Sequence, residues 1–196
     1  MKSNKKNIIN YYNSSALNYD LFTKNYGKKY LQLEYYLFLT NITGGKKILD
    51  IGCGPCRDSE YFINKGFTVI PIDLSEEMIK ICGKKNIYAY KMDMENLKFV
   101  DGSFNGIWAY TSLLHLPKNK INNMLKKIYN LLEEKGVFFI GMRKGNFDGE
   151  KNNIHFSEYE IEEIKKLLKK YFKIKFLSVV APRKSYHYIN VLCIKN

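Results

Sequence analysis

The sequence predicts an α/β fold: a mostly parallel sheet with helices packed on both faces, in three layers. Three observations carry this. Residues 47–51 form a short apolar run that ends in an acid and passes at once into a glycine-rich turn, and residues 59–65 then read as a helix. Two further β-branched runs end in acids at intervals of about 20 residues, so that Asp50, Asp73 and Asp93 recur like successive strand tips. Finally, apolar runs alternate with helix-periodic segments from about residue 47 to residue 170.

Length and composition set the frame. At 196 residues with 45% hydrophobic and 26% charged residues, the chain has enough material for one domain with a proper core. It contains no apolar run of the roughly 18 residues that a membrane span needs. The start, Met1-Lys2-Ser3-Asn4-Lys5-Lys6, is basic but leads into no apolar signal core, so the expected location is the cytoplasm, with no membrane partner. A net charge of +13 raises the question of nucleic acid. Only Arg57, Arg143 and Arg183 are arginines, though, and the lysines are scattered; a solvated surface is favoured over a nucleic-acid footprint.

Residues 7–40 place Ile8, Ile9, Tyr12, Ala16 and Tyr19, then Leu31, Leu33, Tyr36, Leu37 and Leu39, at near-helical spacing. Two helices with a break near Tyr26-Gly27 are expected. In the turn after the first strand, Gly52 and Gly54 let a ligand approach the backbone closely, and Pro55 is expected to begin the helix, whose free N–H groups suit a negative group. The spacing is Asp-x-Gly-x-Gly-x-Cys, without the third glycine that a pyrophosphate site requires. Cys53 and Cys56 also form a C-x-x-C, which could be a redox pair or half of a zinc site. With no second ligand pair nearby, two small residues in a glycine turn is the preferred reading, and no metal is expected.

The second strand, 66–73, ends at Asp73, where a carboxylate can accept hydrogen bonds from both hydroxyls of a ribose. Ser75, followed by Glu76 and Glu77, caps the next helix. A third strand over 86–92 precedes Asp93. An Asp101-Gly102 turn leads into a fourth strand, which ends in the loop around Tyr110, Thr111, Ser112 and His115. Residues 118–134 carry a clear amphipathic helix, followed by a glycine cap at Gly136 and a fifth strand through Ile140. The polar stretch 143–155 is expected to be a loop long enough to act as a substrate lid, with Ser157 capping a helix through 170. Two closing strands, 171–180 and 186–194, are expected to pair antiparallel through a loop around 181–184.

Taken together, Asp50-Ile51-Gly52-Cys53-Gly54, Ile72-Asp73-Leu74-Ser75-Glu76 with Met78, and Ser112-Leu113-Leu114-His115 resemble the class I, Rossmann-like S-adenosylmethionine-dependent methyltransferases, of the bacterial small-molecule type. The resemblance covers roughly residues 10–196. It implies a seven-stranded, mostly parallel sheet with the last strand antiparallel, residues 1–45 as a helical lid, and residues 46–196 as the cofactor-binding part of a single domain. It implies S-adenosylmethionine as cofactor and S-adenosylhomocysteine as product. The implied contacts are Asp50 to the methionine amino group, Asp73 to the ribose, Leu74 and Met78 beside the adenine, and Asp93 with the Met94 N–H at the adenine edge. Gly52, Gly54 and Ala109 would line the site, Tyr12 or Tyr19 would cover it, and Arg57 would pair with the cofactor carboxylate.

Methyl transfer from a sulfonium needs mainly an in-line nucleophile, and a base only for an acceptor that carries a proton. His115 is the candidate base; His155 and His187 are less well placed. The acceptor is expected to be a small molecule methylated on N, O or S. Trp108-Ala109-Tyr110-Thr111 stands where amine-directed nucleic-acid methyltransferases carry Asn/Asp-Pro-Pro-Tyr, and no cysteine follows a proline there. The alternatives are an RNA methyltransferase using the lysine surface, or a protein that binds the cofactor without transferring its methyl group. A monomer or homodimer is expected.

Overall fold

The structure, a computed structural model, describes residues 2–183 and 186–196. Three helices come first: α1 (Lys2–Thr23), α2 (Tyr26–Tyr30) and α3 (Gln32–Asn41). The expected break therefore falls just before Tyr26 and again at Leu31. Then follow β1 (Lys47–Ile51), α4 (Arg57–Asn64), β2 (Thr68–Asp73), α5 (Glu76–Lys84), β3 (Tyr90–Lys91), β4 (Phe104–Tyr110), α6 (Lys118–Leu131) and β5 (Leu132–Arg143). A hairpin of β6 (Asp148–Lys151) and β7 (Ile154–Ser157), α7 (Ile161–Leu168), β8 (Phe172–Arg183) and β9 (Tyr186–Lys195) complete the chain.

The main sheet has seven strands in the order β3-β2-β1-β4-β5-β9-β8. β1 to β5 run parallel, and β9 runs antiparallel between β5 and β8. The expected three-layer α/β/α architecture is the one observed. The strand order reverses between β1 and β4, so a crevice opens there beyond the carboxyl ends of the strands, the place where open α/β sheets take ligands.

Period-two alternation along β4 divides the core. Ile107 and Ala109 enter an aliphatic cluster with Leu125, Ile128 and Leu131 of α6 and Ile164 and Leu168 of α7. Trp108 and Tyr110 enter an aromatic cluster with Tyr35 and Phe38 of α3, Phe62 of α4 and Phe139 of β5. Trp108 stacks on Phe139 with ring centroids 3.9 Å apart, a geometry worth about 0.5–1.5 kcal/mol beyond burial. α1 lies across the crevice, with Ala16 packed against Met78 and Ile81 of α5.

Several expectations need correction. Pro55 does not begin α4, which starts at Arg57 with Cys56 as a left-handed N-cap (φ 60°, ψ 29°). The third strand shrinks to two residues. The sixth helix stops at Leu131, and Gly136 lies inside β5, where Lys135 takes the positive φ of 63°. Residues 143–155 are no lid loop: Asn152 and Asn153 both adopt positive φ (52° and 62°), the geometry of a two-residue hairpin turn, and they fold this stretch into β6 and β7. Ser157 is consequently not a helix cap but a buried residue of β7, its Oγ 2.7 Å from the Leu116 carbonyl oxygen. The joint between the last two strands, expected around 181–184, falls in part on Lys184, which lies outside the described residues.

Candidate functional site

A cavity sits at the carboxyl ends of β1, β2 and β4, roofed by α1, and encloses about 1010 Å³ with its open mouth included. Two glycines make the floor. Gly52 has φ +70°, and a Cβ there would stand 2.4 Å from the Ser112 Cβ; Gly54 has φ +53°. The turn is pinned from below, since the Gly52 and Cys53 N–H groups both donate to the Ile72 carbonyl oxygen (2.9 and 3.0 Å).

Asp73 stands at the tip of β2 with one oxygen accepting from the Gly54 N–H (2.9 Å) and the other from the Ser75 N–H (2.8 Å). Each oxygen keeps a lone pair for a ligand hydroxyl. Burial pushes this carboxyl above its ordinary range, against the pull of those backbone N–H groups. Asp93 caps a short 3-10 turn (Met94–Asn96), accepting from the Glu95 N–H, and its Oδ2 takes a 2.6 Å bond from Lys5 Nζ. Leu74, Met78 and Met94 complete this end.

Over the opposite end, Tyr12 and Tyr19 descend from α1, edge to face with centroids 5.8 Å apart. The Tyr12 hydroxyl lies 2.8 Å from His115 Nε2, and His115 Nδ1 lies 3.0 Å from the His155 carbonyl oxygen. A carbonyl can only accept, so Nδ1 carries the proton and Nε2 accepts from Tyr12. Burial pushes the His115 pKa down to about 4, so the ring does not titrate near neutrality as expected; it is a neutral acceptor. His155, expected before a helix, lies in β7 with Nε2 3.0 Å from Asp148 Oδ1, while His187 is exposed on β9.

Two expected contacts, Asp50 and Ala109, lie outside the cavity lining, and Arg57 lines it with an internal partner. Asp50 does not reach the cavity wall. It shares the side of β1 that carries Ile48, lies 2% exposed beneath α4, and accepts a 2.6 Å hydrogen bond from Ser59 Oγ. Burial, reinforced by neighbouring Asp58, pushes its carboxyl up. Arg57 lines the cavity, yet its Nε and one Nη donate to Asp58 (2.6 and 2.8 Å), so the expected carboxylate pair is made inside the protein. Asp58 also accepts from Trp108 Nε1 (2.9 Å) and from the Tyr35 hydroxyl, and the Arg57 pair holds it below the usual carboxylate range. Ala109 is fully buried in the aliphatic core, and Tyr110, Thr111 and Ser112 stand at the wall instead.

Sequence reasoning missed Lys5, Ile8 and Thr23 on the α1 side, and also Ser112 as a contact in its own right. Ser112 is 6% exposed with an Oγ that has no hydrogen-bond partner in the structure. Such an orphaned hydroxyl is a polar position that a bound group at the cavity wall would satisfy. The orphaned hydroxyl, the glycine floor that a Cβ would fill and the two-oxygen acceptor at Asp73 all fit S-adenosylmethionine.

The cysteines also depart from expectation. Cys56 is joined in a disulfide to Cys82 of α5, with Cα atoms 5.4 Å apart, and the Cys53 sulfur lies 3.7 Å from that of Cys56. The C-x-x-C therefore has a third sulfur beside it, supplied from residue 82.

The profile of the methyltransferase domain family matches residues 48–136. This stretch is similar to methyltransferase domains. The matched stretch contains the glycine floor, Asp73, Asp93 and His115; α1 and the last two strands lie outside it. Among curated proteins, the putative methyltransferase YqeM of Bacillus subtilis is 31% identical over 98 residues, 46% of this chain and 40% of that protein. The chain spans less than half the length of the first curated relatives it matches. Among solved structures, the Burkholderia thailandensis 1,6-didemethyltoxoflavin-N1-methyltransferase, with its substrate and S-adenosylhomocysteine bound, superposes with a TM-score of 0.79 at 20% identity, covering 98% of this chain and 88% of that one. Magnesium protoporphyrin IX methyltransferase from Synechocystis, with S-adenosylmethionine bound, superposes at 0.75 and 16% identity, covering 98% and 97%. These likenesses span α1 and the terminal strands as well as the central domain. Among the described residues no helix is long and apolar enough to cross a membrane.

Proposed function

We propose that the chain binds S-adenosylmethionine in this cavity and transfers its methyl group to a small-molecule acceptor at N, O or S. The observation that carries the proposal is the polar floor: Gly52 and Gly54 beside Asp73, whose two oxygens both remain open to a diol, at the crevice where the strand order reverses. Asp73 takes the ribose hydroxyls, Leu74 and Met78 flank the adenine, and Asp93 with the Met94 N–H meets the adenine edge. Ser112, rather than Asp50 or Ala109, contacts the methionine end. Tyr12 and Tyr19 cover the ligand, with α1 acting as the lid; the expected lid does not extend to α3, whose Tyr35 and Phe38 belong to the aromatic core. When bound, the sulfonium supplies an activated methyl group with a neutral thioether as leaving group, and the protein has only to hold the acceptor in line and exclude water.

His115, held neutral by burial, is placed to accept a hydrogen bond from a substrate O–H or N–H and so to orient it. An acceptor O–H or N–H replaces the Tyr12 hydroxyl at Nε2, while the His155 carbonyl keeps the ring in the correct tautomer. The small-molecule reading is also supported by two structural neighbours, one with 1,6-didemethyltoxoflavin bound and the other named for magnesium protoporphyrin IX, and by the aromatic wall near Tyr110 and Tyr26. Calorimetry with S-adenosylmethionine and S-adenosylhomocysteine tests the cofactor; heat with neither overturns the reading. Labelled cofactor incubated with a metabolite pool, followed by mass identification of the product, tests the reaction. Salt-dependent RNA binding with methyl incorporation into RNA would replace the small-molecule acceptor by RNA.

A further inference from the structure

A second groove opens beside the cofactor cavity, lined by Phe22, Tyr26, Tyr30, Tyr186 and Tyr188 with Lys29 among them. The two share a wall. Tyr110, at the tip of β4, lines the cavity, and its hydroxyl lies 2.9 Å from that of Tyr26, which lines the groove. Tyr188 also packs on Tyr110, with centroids 6.1 Å apart. Burial pushes Tyr26 up to about 12 and raises Tyr110 as well, so both hydroxyls keep their protons. One donates to the other, and the second proton is left for a third group. The rings already carry cations: Arg57 lies 5.2 Å from the Tyr26 centroid and 5.7 Å from that of Tyr110, Arg143 lies 3.8 Å from Tyr186, and Lys29 lies 5.1 Å from Tyr30. Among the described residues no acidic side chain lines the groove, so an incoming ammonium would compete for occupied rings and meet no carboxylate. The two arginines have acids of their own, Asp58 and Glu158. Lys29 is exposed on α2 and, among the described residues, pairs with no carboxylate. Aromatic faces beside an uncompensated positive charge suit a flat anion.

We propose that this groove is the acceptor subsite and that the methyl acceptor is an aromatic carboxylate. The proposal rests on the cofactor reading above, since it takes the neighbouring cavity as the source of the methyl group. The ring of the acceptor lies among Tyr26, Tyr30 and Tyr188, and its carboxylate meets Lys29. Its nucleophilic oxygen or nitrogen reaches past the Tyr26–Tyr110 pair toward the sulfonium, and the spare hydroxyl proton of that pair fixes the orientation of the ring. In the transfer, the lone pair of the nucleophile forms the bond to the methyl carbon. The carbon–sulfur bond breaks with its electron pair left on sulfur, and the O–H or N–H proton is released to solvent. Lys29 stands away from the reacting atoms, so its charge selects the acceptor and takes no part in the transfer itself.

The test is calorimetry on the whole chain with four probes: 2-naphthoate, the uncharged 2-naphthamide, the cation 2-naphthylmethylammonium and the saturated acid decahydro-2-naphthoate. Each is titrated with and without S-adenosylhomocysteine in excess. The expected result is that 2-naphthoate binds tightest, by about fivefold over the amide, which is what one part-exposed ion pair contributes, and by more over the ammonium. It should also exceed the saturated acid, which cannot stack, by about threefold. Excess S-adenosylhomocysteine should leave 2-naphthoate bound, and salt should shrink its advantage over the amide. Lys29→Gln should equalise acid and amide, and Lys29→Glu should place the ammonium ahead of the acid. The proposal is overturned if no naphthyl probe binds, if 2-naphthoate binds no better than the amide or the saturated acid, if its preference survives Lys29→Glu, or if S-adenosylhomocysteine displaces it. S-adenosylhomocysteine that itself gives no heat fails the cofactor reading, while the ratio of acid to amide and its response at Lys29 judge the groove by themselves.

Discussion

The two walls of the cavity are built on opposite principles. The sheet wall is wired to itself: Asp58 has Arg57, Trp108 and Tyr35 as partners, Asp50 has Ser59, and the glycine turn hangs on Ile72. The α1 wall is held by a few contacts at its edges, namely Lys5 to Asp93 and Glu95, Tyr12 to His115, and Lys85 of α5 to Asp20. A wall whose polar groups are satisfied internally keeps its shape with or without a ligand. A wall held by two clusters of part-exposed ion pairs, the Ser75 Oγ–Asn13 and Tyr12–His115 hydrogen bonds and one small apolar contact of Ala16 with α5 has far less to break, and can lift. The difference separates a preformed floor from a cover, and four experiments press on it in order of expected size.

The largest effect belongs to the sheet wall. Asp58→Ala leaves the Arg57 guanidinium buried without its counter-charge and strips an acceptor from Trp108 and Tyr35. Breaking a buried pair in this way costs about 3–5 kcal/mol. Urea unfolding should show that loss through a lower midpoint; a loss within 1 kcal/mol would mean that the floor is not rigidly wired.

His115 joins the two walls, and its protonation should part them. Its folded pKa of about 4 lies below the ordinary value near 6.5, so between the two the unfolded chain binds the extra proton. Stability is therefore full above pH 6.5 and falls as pH drops toward 4, by about 3 kcal/mol from this group. Subtracting the unfolding free energies of His115→Gln from those of the wild type, at pH 7 and at pH 4, isolates the effect. Equal acid sensitivity in both proteins would place His115 in contact with water.

Asp73→Asn comes next. Losing the charged acceptor at the ribose position should cost about 1.5–3 kcal/mol of binding, or roughly ten- to a hundredfold in affinity for S-adenosylhomocysteine. Unfolding should shift as well, by about 1–3 kcal/mol, because the single Asn oxygen can accept from only one of the Gly54 and Ser75 N–H groups and the amide NH2 faces the other. Lost stability with unchanged affinity would reverse the assignment.

The same contrast governs what the sequence disclosed. The floor was legible because its signals are local: an apolar strand, two glycines two residues apart and an acid at each strand tip fix β1, the turn and Asp73 with little help from the rest of the chain. What stayed hidden depends on distant partners. Nothing near Cys56 announces Cys82, and nothing near Lys5 announces Asp93. The direction of Asp50 was available in principle, since strand alternation puts it on the side of Ile48 and hence under α4; the acid was read for its chemistry before its parity. Asn152-Asn153 was likewise a readable hairpin turn, passed over because polar residues around it suggested a loop. Ala109, one residue before the end of β4, alternates into the aliphatic core, so the wall begins at Tyr110.

The smallest effect tests the α1 wall most sharply. Lys5 Nζ occupies the Asp93 oxygen that an adenine amino group would use, and its side chain is 37% exposed, so the pair contributes no more than about 1 kcal/mol. If α1 is a cover that a ligand displaces, Lys5→Ala removes a competitor. Affinity for S-adenosylhomocysteine should then rise, by up to about fivefold, with the gain shrinking as salt screens the Lys5–Asp93 pair in the wild type. If instead Lys5 is part of the binding surface and holds Asp93 in place, the same substitution weakens binding. The sign of the change in calorimetry, more than its size, distinguishes a lid that opens from a wall that stays.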